Sequence, residues 1–225
     1  MNFSVSNSYV YGLERAVKAS GNPMRTVIDT SAANDKDFLR AQKLGSCHNG
    51  EGHDNYLKGI TVQLDVCAPL YWWKEAQRYH WFDFVSSEST MHCLLKFDVG
   101  AQCVDETDPK ILERMRELVA EYNAIPDDED HRAEQKAKWR VLVASLPEGF
   151  CLAATMVTNY QQLKTMYHQR KNHKLQEWHE GVEIAIDIGG IVKLNRRIDL
   201  LALKVIVHRR SIEILNVGVV VTKIA

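Results

Sequence analysis

The sequence has no Cys-x-x-Cys pair, no internal repeat and no low-complexity linker. It also lacks any uninterrupted apolar run near the roughly 18 residues that a membrane span needs. Its five cysteines, Cys47, Cys67, Cys93, Cys103 and Cys151, are odd in number and scattered. That spacing argues against a disulfide framework and against a zinc site built from paired ligands. Cys47, His48 and His53 share a glycine-rich loop but have no second ligand pair, so the loop is read as a loop and no metal is expected. Charge of either sign is barely in excess: 28 basic against 29 acidic residues leave a net charge of −1. Nothing global therefore attracts nucleic acid or an anionic membrane, and any anion binding must be local. Met1 to Ser8 is polar, without the basic-then-apolar pattern of a signal peptide, and cytoplasmic residence is the expectation.

What is present is an ordinary globular composition, 45% hydrophobic and 25% charged over 225 residues. That suffices for one substantial core, or for a domain with an extension. Tyr9, Leu13, Ala16 and Val17 at helical spacing predict a helix over 9–20, stopped by Gly21-Asn22-Pro23. A second helix is expected over Asp35 to Leu44, ending at Gly45 and followed by a loop to Gly52. Ile60, Val62, Leu64 and Val66 alternate with polar residues, which marks a strand with one buried face. Pro69 suits the first turn of a helix reaching about His80, with Tyr71, Lys74, Glu75 and Arg78 on one face. Trp72 and Trp73 are expected as core or subunit-interface anchors. Ser86 to Thr90 reads as a loop or sheet edge.

Asp108 and Pro109 cap and open a helix with an apolar stripe of Ile111, Met115, Leu118, Val119 and Tyr122. Pro126 and the acidic run Asp127 to Asp130 end it, and His131 to Ala144 forms its partner in an inserted hairpin over about 106–145. Asn159, Leu163, Met166, Arg170, His173 and Glu177 then follow a three-four spacing that predicts one helical face. Along such a helix Asn159 and Arg170 lie about 16 Å apart, enough for a ring with a phosphate tail. Beyond Gly181, alternating Val182, Ile184, Ile186 and Ile188 and the β-branched runs 200–207 and 217–224 predict three or four strands.

Two stretches, Gly52 to His92 and Leu146 to Trp178, combine cationic and polar side chains with aromatic scaffolding. Both resemble the flavin-dependent thymidylate synthases. Gly52-His53, the strand "ITVQLDV" and the helix "KEAQRYH" stand where that family has Gly-His, a strand, and a helix running into Arg-His-Arg. "SSESTMH" follows where the family has its serine-rich substrate loop, with one extra residue. The later signature, Leu-Pro, Asn-x-x-x-Leu, Arg and Gln, is matched by Leu146-Pro147, Asn159, Leu163, Arg170 and Gln176. The phrases "GNPM", "APLYWWKE" and "RKNHKL" bring the likeness closer to divergent phage and prophage relatives. The resemblance spans roughly residues 9 to 180.

The resemblance implies an α/β (α+β) thymidylate synthase complementing-protein-like fold over 1–180, with a β-rich extension over 181–225. It implies a homotetramer that holds FAD between subunits. The implied reaction moves a one-carbon unit from methylenetetrahydrofolate to dUMP, with NADPH as reductant and no cysteine nucleophile. Arg170 takes the catalytic role, polarising the pyrimidine carbonyl with a permanently charged planar fork. His53, Arg78, Tyr79, His80, Asn159 and His173 take the cofactor positions. Glu75, Ser86, Ser87, Ser89 and Gln176 take the substrate positions.

Three departures stand out. Met91 and Val143 occupy places where the family carries arginines, with Arg140 one turn before the second, and Glu75 replaces a glutamine. Losing two charge-assisted contacts weakens nucleotide monophosphate binding by about 1.5–3 kcal/mol each. The alternative implied is a relative that keeps the fold and binds a nucleotide or flavin without this reaction. On the residues alone, Arg78 pairing with Glu75 on its own helix is a further alternative, and Arg170 pairing with nearby acids is as open as a pocket-facing role.

Overall fold

The computed structural model describes residues 3–179. The strands expected beyond Gly181 lie outside the described residues. Strands β1 (Ser4–Tyr11), β2 (Thr61–Pro69), β3 (Asp83–Ser87) and β4 (Cys151–Asn159) form one antiparallel sheet in the order β1-β2-β4-β3. Helices α1 (Leu13–Ala19), α2 (Asp35–Gly45), α3 (Leu70–Ala76) and α8 (Tyr160–Arg170) accompany the sheet. Short helices α4 (Thr90–Cys93) and α5 (Val99–Gln102) lead into the long pair α6 (Pro109–Asn123) and α7 (Arg132–Ala144). This is the mixed α/β architecture expected of the chain.

The main core forms on one face of the sheet, because period-two alternation sends Val62, Leu64, Val66 and Ala68 of β2 to the same side. They meet Ala154 and Met156 of β4, Trp72, Trp73 and Ala76 of α3, and Leu163 and Met166 of α8. Both tryptophans are therefore core residues. A second core holds the hairpin, where Met115 and Leu118 of α6 and Leu142 of α7 pack on Leu94, Val99 and Phe150. Asp108 caps α6 through the Lys110 N–H, and Pro109 sits in its first turn, as its missing donor permits. Ile111 faces solvent and Leu112 packs inward in its stead, while Met115, Leu118, Val119 and Tyr122 keep their places in the apolar stripe.

Three expected elements differ. Tyr9 and Val10 belong to β1, not to a helix, and α1 starts only at Leu13. Gly12 makes that break: its φ of 75° is left-handed, and a side chain there would press on the Gly59 carbonyl 2.7 Å away. The helix after Pro69 ends at Ala76 rather than His80, and Pro69 is the last residue of β2 and the N-cap of α3. The helical face from Asn159 to Glu177 is interrupted: Asn159 is the N-cap of α8, the helix stops at Arg170, and His173 lies in the turn beyond.

The packing of α1 on α2 rests on a buried charge cluster. Lys18 and Asp37 are both only 3% exposed and meet at 3.0 Å, with Asp29, Arg25 and Arg40 around them. Asp37 also closes a capping box with Asn34 at the start of α2. Hydrogen bonds from Lys18 and Ser31 hold the Asp29 carboxyl well below its usual range. Burial pushes Asp37 upward, but hydrogen bonds from Arg40, the Asn34 N–H and Lys18 outweigh it and carry that carboxyl well below normal. Both folded values lie beneath the unfolded value of about 4. Their stabilisation is thus complete above about pH 4 and is lost as pH falls toward the folded values. Urea midpoints of the parent are expected to fall on acidification below about pH 4, and those of Asp37→Asn to fall less steeply. Equal slopes would contradict the cluster's role.

Candidate nucleotide site

Helix α8 acts as a ruler for the candidate residues. At its start, the Asn159 side chain accepts the Gln162 N–H at 2.9 Å, satisfying a donor that the first helical turn leaves open. Midway, the Lys164 ammonium reaches out of the helix to Asp54, 2.6 Å away, and to the Cys47 carbonyl at 2.7 Å. Gln161 donates to the other Asp54 oxygen at 3.1 Å. Lys164 and Asp54 are both almost wholly buried, so the two charges compensate each other out of water. This clamp fixes the loop that carries His53, which is itself exposed. His168, one turn farther on, is held below its usual pKa by burial and then by Lys171, Lys164 and His48.

At the end of α8, Arg170 enters a cluster of polar and aromatic side chains. Its Nη1 donates to Glu75 Oε2 at 2.6 Å and its Nε donates to the Tyr79 hydroxyl at 2.6 Å. The guanidinium lies 4.5 Å from the centre of the Trp178 ring and 5.4 Å from that of Tyr79. Trp178 is fully buried, stacks on Trp72 at 4.6 Å, and donates its indole N–H to the same Glu75 oxygen at 3.1 Å. His173 brings Nε2 to that oxygen at 3.3 Å. Because its Nδ1 accepts the Leu175 N–H, the neutral ring carries its proton on Nε2 and donates. Nearby, the Tyr71 hydroxyl donates to Glu177, and burial followed by that carboxylate pushes the phenol above its usual pKa.

Glu75, Tyr79, Arg170 and His173 therefore come together, around a tryptophan that the sequence signals did not single out. Arg78 and His80 point the other way and are exposed on the turn between α3 and β3. Ser86 and Ser87 lie exposed on the edge strand, Ser89 is the N-cap of α4, and Gln176 is exposed in the helical turn 176–179. Of the departures, Met91 is 55% exposed, whereas Val143 packs into the hairpin core beside Leu142. Glu75, which a phosphate would find repulsive alone, serves in this fold as the counter-ion of Arg170.

Asp54, Gln161 and Lys164 are site-building residues that the sequence pattern does not reveal, and Trp178, the end of the second stretch, carries no expected site role there. Asp54 and Lys164 stand 110 positions apart, and no local periodicity links them. The adjacency of Asp54 to His53 is the one signal that could have drawn attention to it. Among the described residues no group of three or more His, Cys, Asp or Glu side chains could hold a metal ion. No helix there is long and apolar enough to cross a membrane.

No family model matches the chain, and no curated protein does either. Solved structures do. The flavin-dependent thymidylate synthase ThyX from Helicobacter pylori, complexed with FAD and dUMP, superposes with a TM-score of 0.62 at 14% identity, covering 82% of this chain and 93% of that one. A second structure of ThyX from the same organism, also with FAD and dUMP, gives 0.63 at 14% identity over 83% and 93% of the two chains. At this identity the likeness establishes the fold: the chain folds as the flavin-dependent thymidylate synthases do.

Proposed function

We propose that the chain binds FAD and a pyrimidine nucleotide and acts as a thymidylate synthase of the flavin-dependent type. On this reading it moves a one-carbon unit from methylenetetrahydrofolate to dUMP, with NADPH as the source of reducing equivalents. The observation that carries the reading is the Arg170 constellation at the end of α8, in a fold whose solved representatives hold FAD and dUMP. The residues present fit a flavin dinucleotide. Arg78 and His80 are exposed on one short turn, and no carboxylate pairs with Arg78 among the described residues. Arg78 suits phosphate oxygens by charge and donor geometry, and His80 can add a ring N–H donor. His53 and Asn159, at the loop and the start of α8, would approach the flavin ring. Bound reduced flavin supplies the electrons that complete the methyl group.

The chain's own part is binding and electrostatics. Glu75 and Tyr79 occupy the Nη1 and Nε of Arg170, which orients the planar fork and leaves Nη2 for a pyrimidine carbonyl. A donor fixed in this way stabilises charge as it develops without reorganising. Ser86, Ser87, Ser89 and Gln176 would line the nucleotide. The same reading carries a cytoplasmic homotetramer with the flavin shared between subunits, and a kinship with phage and prophage relatives.

A second reading, a nucleotide- or flavin-binding relative without this reaction, is favoured by Met91 and Val143. Neither can grip a phosphate, and Val143 is committed to the hairpin core. One assay separates the two. With FAD, NADPH and methylenetetrahydrofolate, the full chain is expected to release tritium from 5-tritiated dUMP, and Arg170→Ala to lose about 10²–10³ of the rate. No release from a parent that still binds FAD would establish the second reading instead.

A further inference from the structure

Resting on the flavin reading above, we propose that Trp81 is a stacking platform for a planar ring of the dinucleotide whose phosphates Arg78 and His80 hold. The turn from Gln77 to Phe82 sorts its side chains by direction. Tyr79 points inward, to Arg170 and the Trp178 ring, and Phe82 is buried against Trp72. With those two anchored, Arg78, His80 and Trp81 are left on the outside.

The backbone that presents them is pinned. The Arg78 N–H donates to the Glu75 carbonyl, the Tyr79 N–H to the Ala76 carbonyl and the Phe82 N–H to the Tyr79 carbonyl. The Trp81 carbonyl accepts the Thr158 hydroxyl of β4 at 2.6 Å. Trp81 itself is 58% exposed, and the His80 ring stands edge-on to it at 5.2 Å and 77°. A single exposed apolar side chain is ordinary. Here the largest aromatic in the repertoire shares a fixed turn with a guanidinium and an imidazole. A flat face beside a guanidinium is the pairing that nucleotide recognition uses: stacking for the ring, charge for the phosphate. On β3, Phe84 packs on Trp73 at 5.1 Å while staying 43% exposed, and no ring of that strand stacks on Trp81.

The test titrates the full chain with FAD, FMN and ADP, following flavin fluorescence for the first two and calorimetry for ADP. Each protein is also run on a sizing column. Trp81→Ala is expected to weaken FAD binding by about tenfold to a hundredfold, and Trp81→Phe, which keeps a stacking face, by no more than about threefold. Loss confined to ADP identifies the adenine as the stacked ring, and loss confined to FMN identifies the isoalloxazine; either supports the platform. Unchanged FAD affinity in Trp81→Ala, beside a parent that binds, overturns the platform and leaves the flavin reading intact. Unchanged affinity with a changed elution volume overturns it likewise, making Trp81 a subunit anchor. A parent that binds no FAD overturns both.

Discussion

Trp178→Ala is expected to lower the unfolding free energy by about 3–5 kcal/mol. The side chain is fully buried, and it joins three things at once: it stacks on Trp72, it lies beneath the Arg170 guanidinium, and it donates to Glu75. Removing it opens a cavity next to Trp72 and Tyr79 and leaves a carboxylate oxygen with one donor fewer. For a chain of this size the thermal midpoint should fall by about 10 °C. Trp178→Phe keeps a stacking face and loses only the indole N–H, so its loss should be nearer 1–3 kcal/mol. Urea unfolding monitored by circular dichroism measures both. A loss below about 1 kcal/mol for the alanine variant would mean that the 171–179 turn does not hold the core together.

Asp54→Ala should cost nearly as much, about 3–5 kcal/mol, for a different reason. It strands the Lys164 ammonium in a site almost closed to water, with only the Cys47 carbonyl at 2.7 Å and the Cys47 Sγ at 4.0 Å beside it among the described residues. The cost lies in the orphaned charge rather than in the worth of the pair. The double variant Asp54→Ala/Lys164→Met should therefore recover to within about 1 kcal/mol of the parent, since apolar replacement of a buried pair is often neutral. FAD affinity discriminates further. The double variant regains stability but not the clamp on the loop bearing His53, so its affinity should stay below the parent's. If the single variant proves as stable as the parent, Lys164 finds another partner and the clamp is not what positions the loop.

How far the sequence reveals this molecule depends on whether a segment's pattern arises locally. Strand β2 is legible because one face is buried and the other is polar, and α6 because Asp108 and Pro109 announce its start. Strand β1 is hidden: Ser4, Ser6 and Ser8 carry no strand signature, and a register shift between Ser6 and Tyr9, with Asn7 at a φ of 46°, breaks its alternation. Strand β4, with Ala153, Ala154 and Thr155 at its centre, offers no contrast between its faces. The three-four spacing from Asn159 to Glu177 continues through a turn that the chain makes at Lys171, so two of six residues fit the period without sharing the helix. On the residues alone Glu75 is a partner for Arg78 and the acid for Arg170 is unspecified; the fold gives Glu75 to Arg170. Lys164 with Asp54, and Trp178 beneath Arg170, exist only once the chain has closed on itself.

The measurement that bears most directly on the account is FAD binding by the purified full-length chain, followed by flavin fluorescence and by co-elution of flavin absorbance with protein. The account predicts saturable quenching that weakens by about tenfold or more in Arg78→Ala, the cost of one charge-assisted contact. Flavin that elutes free of the parent protein, with its fluorescence unaltered, would contradict it.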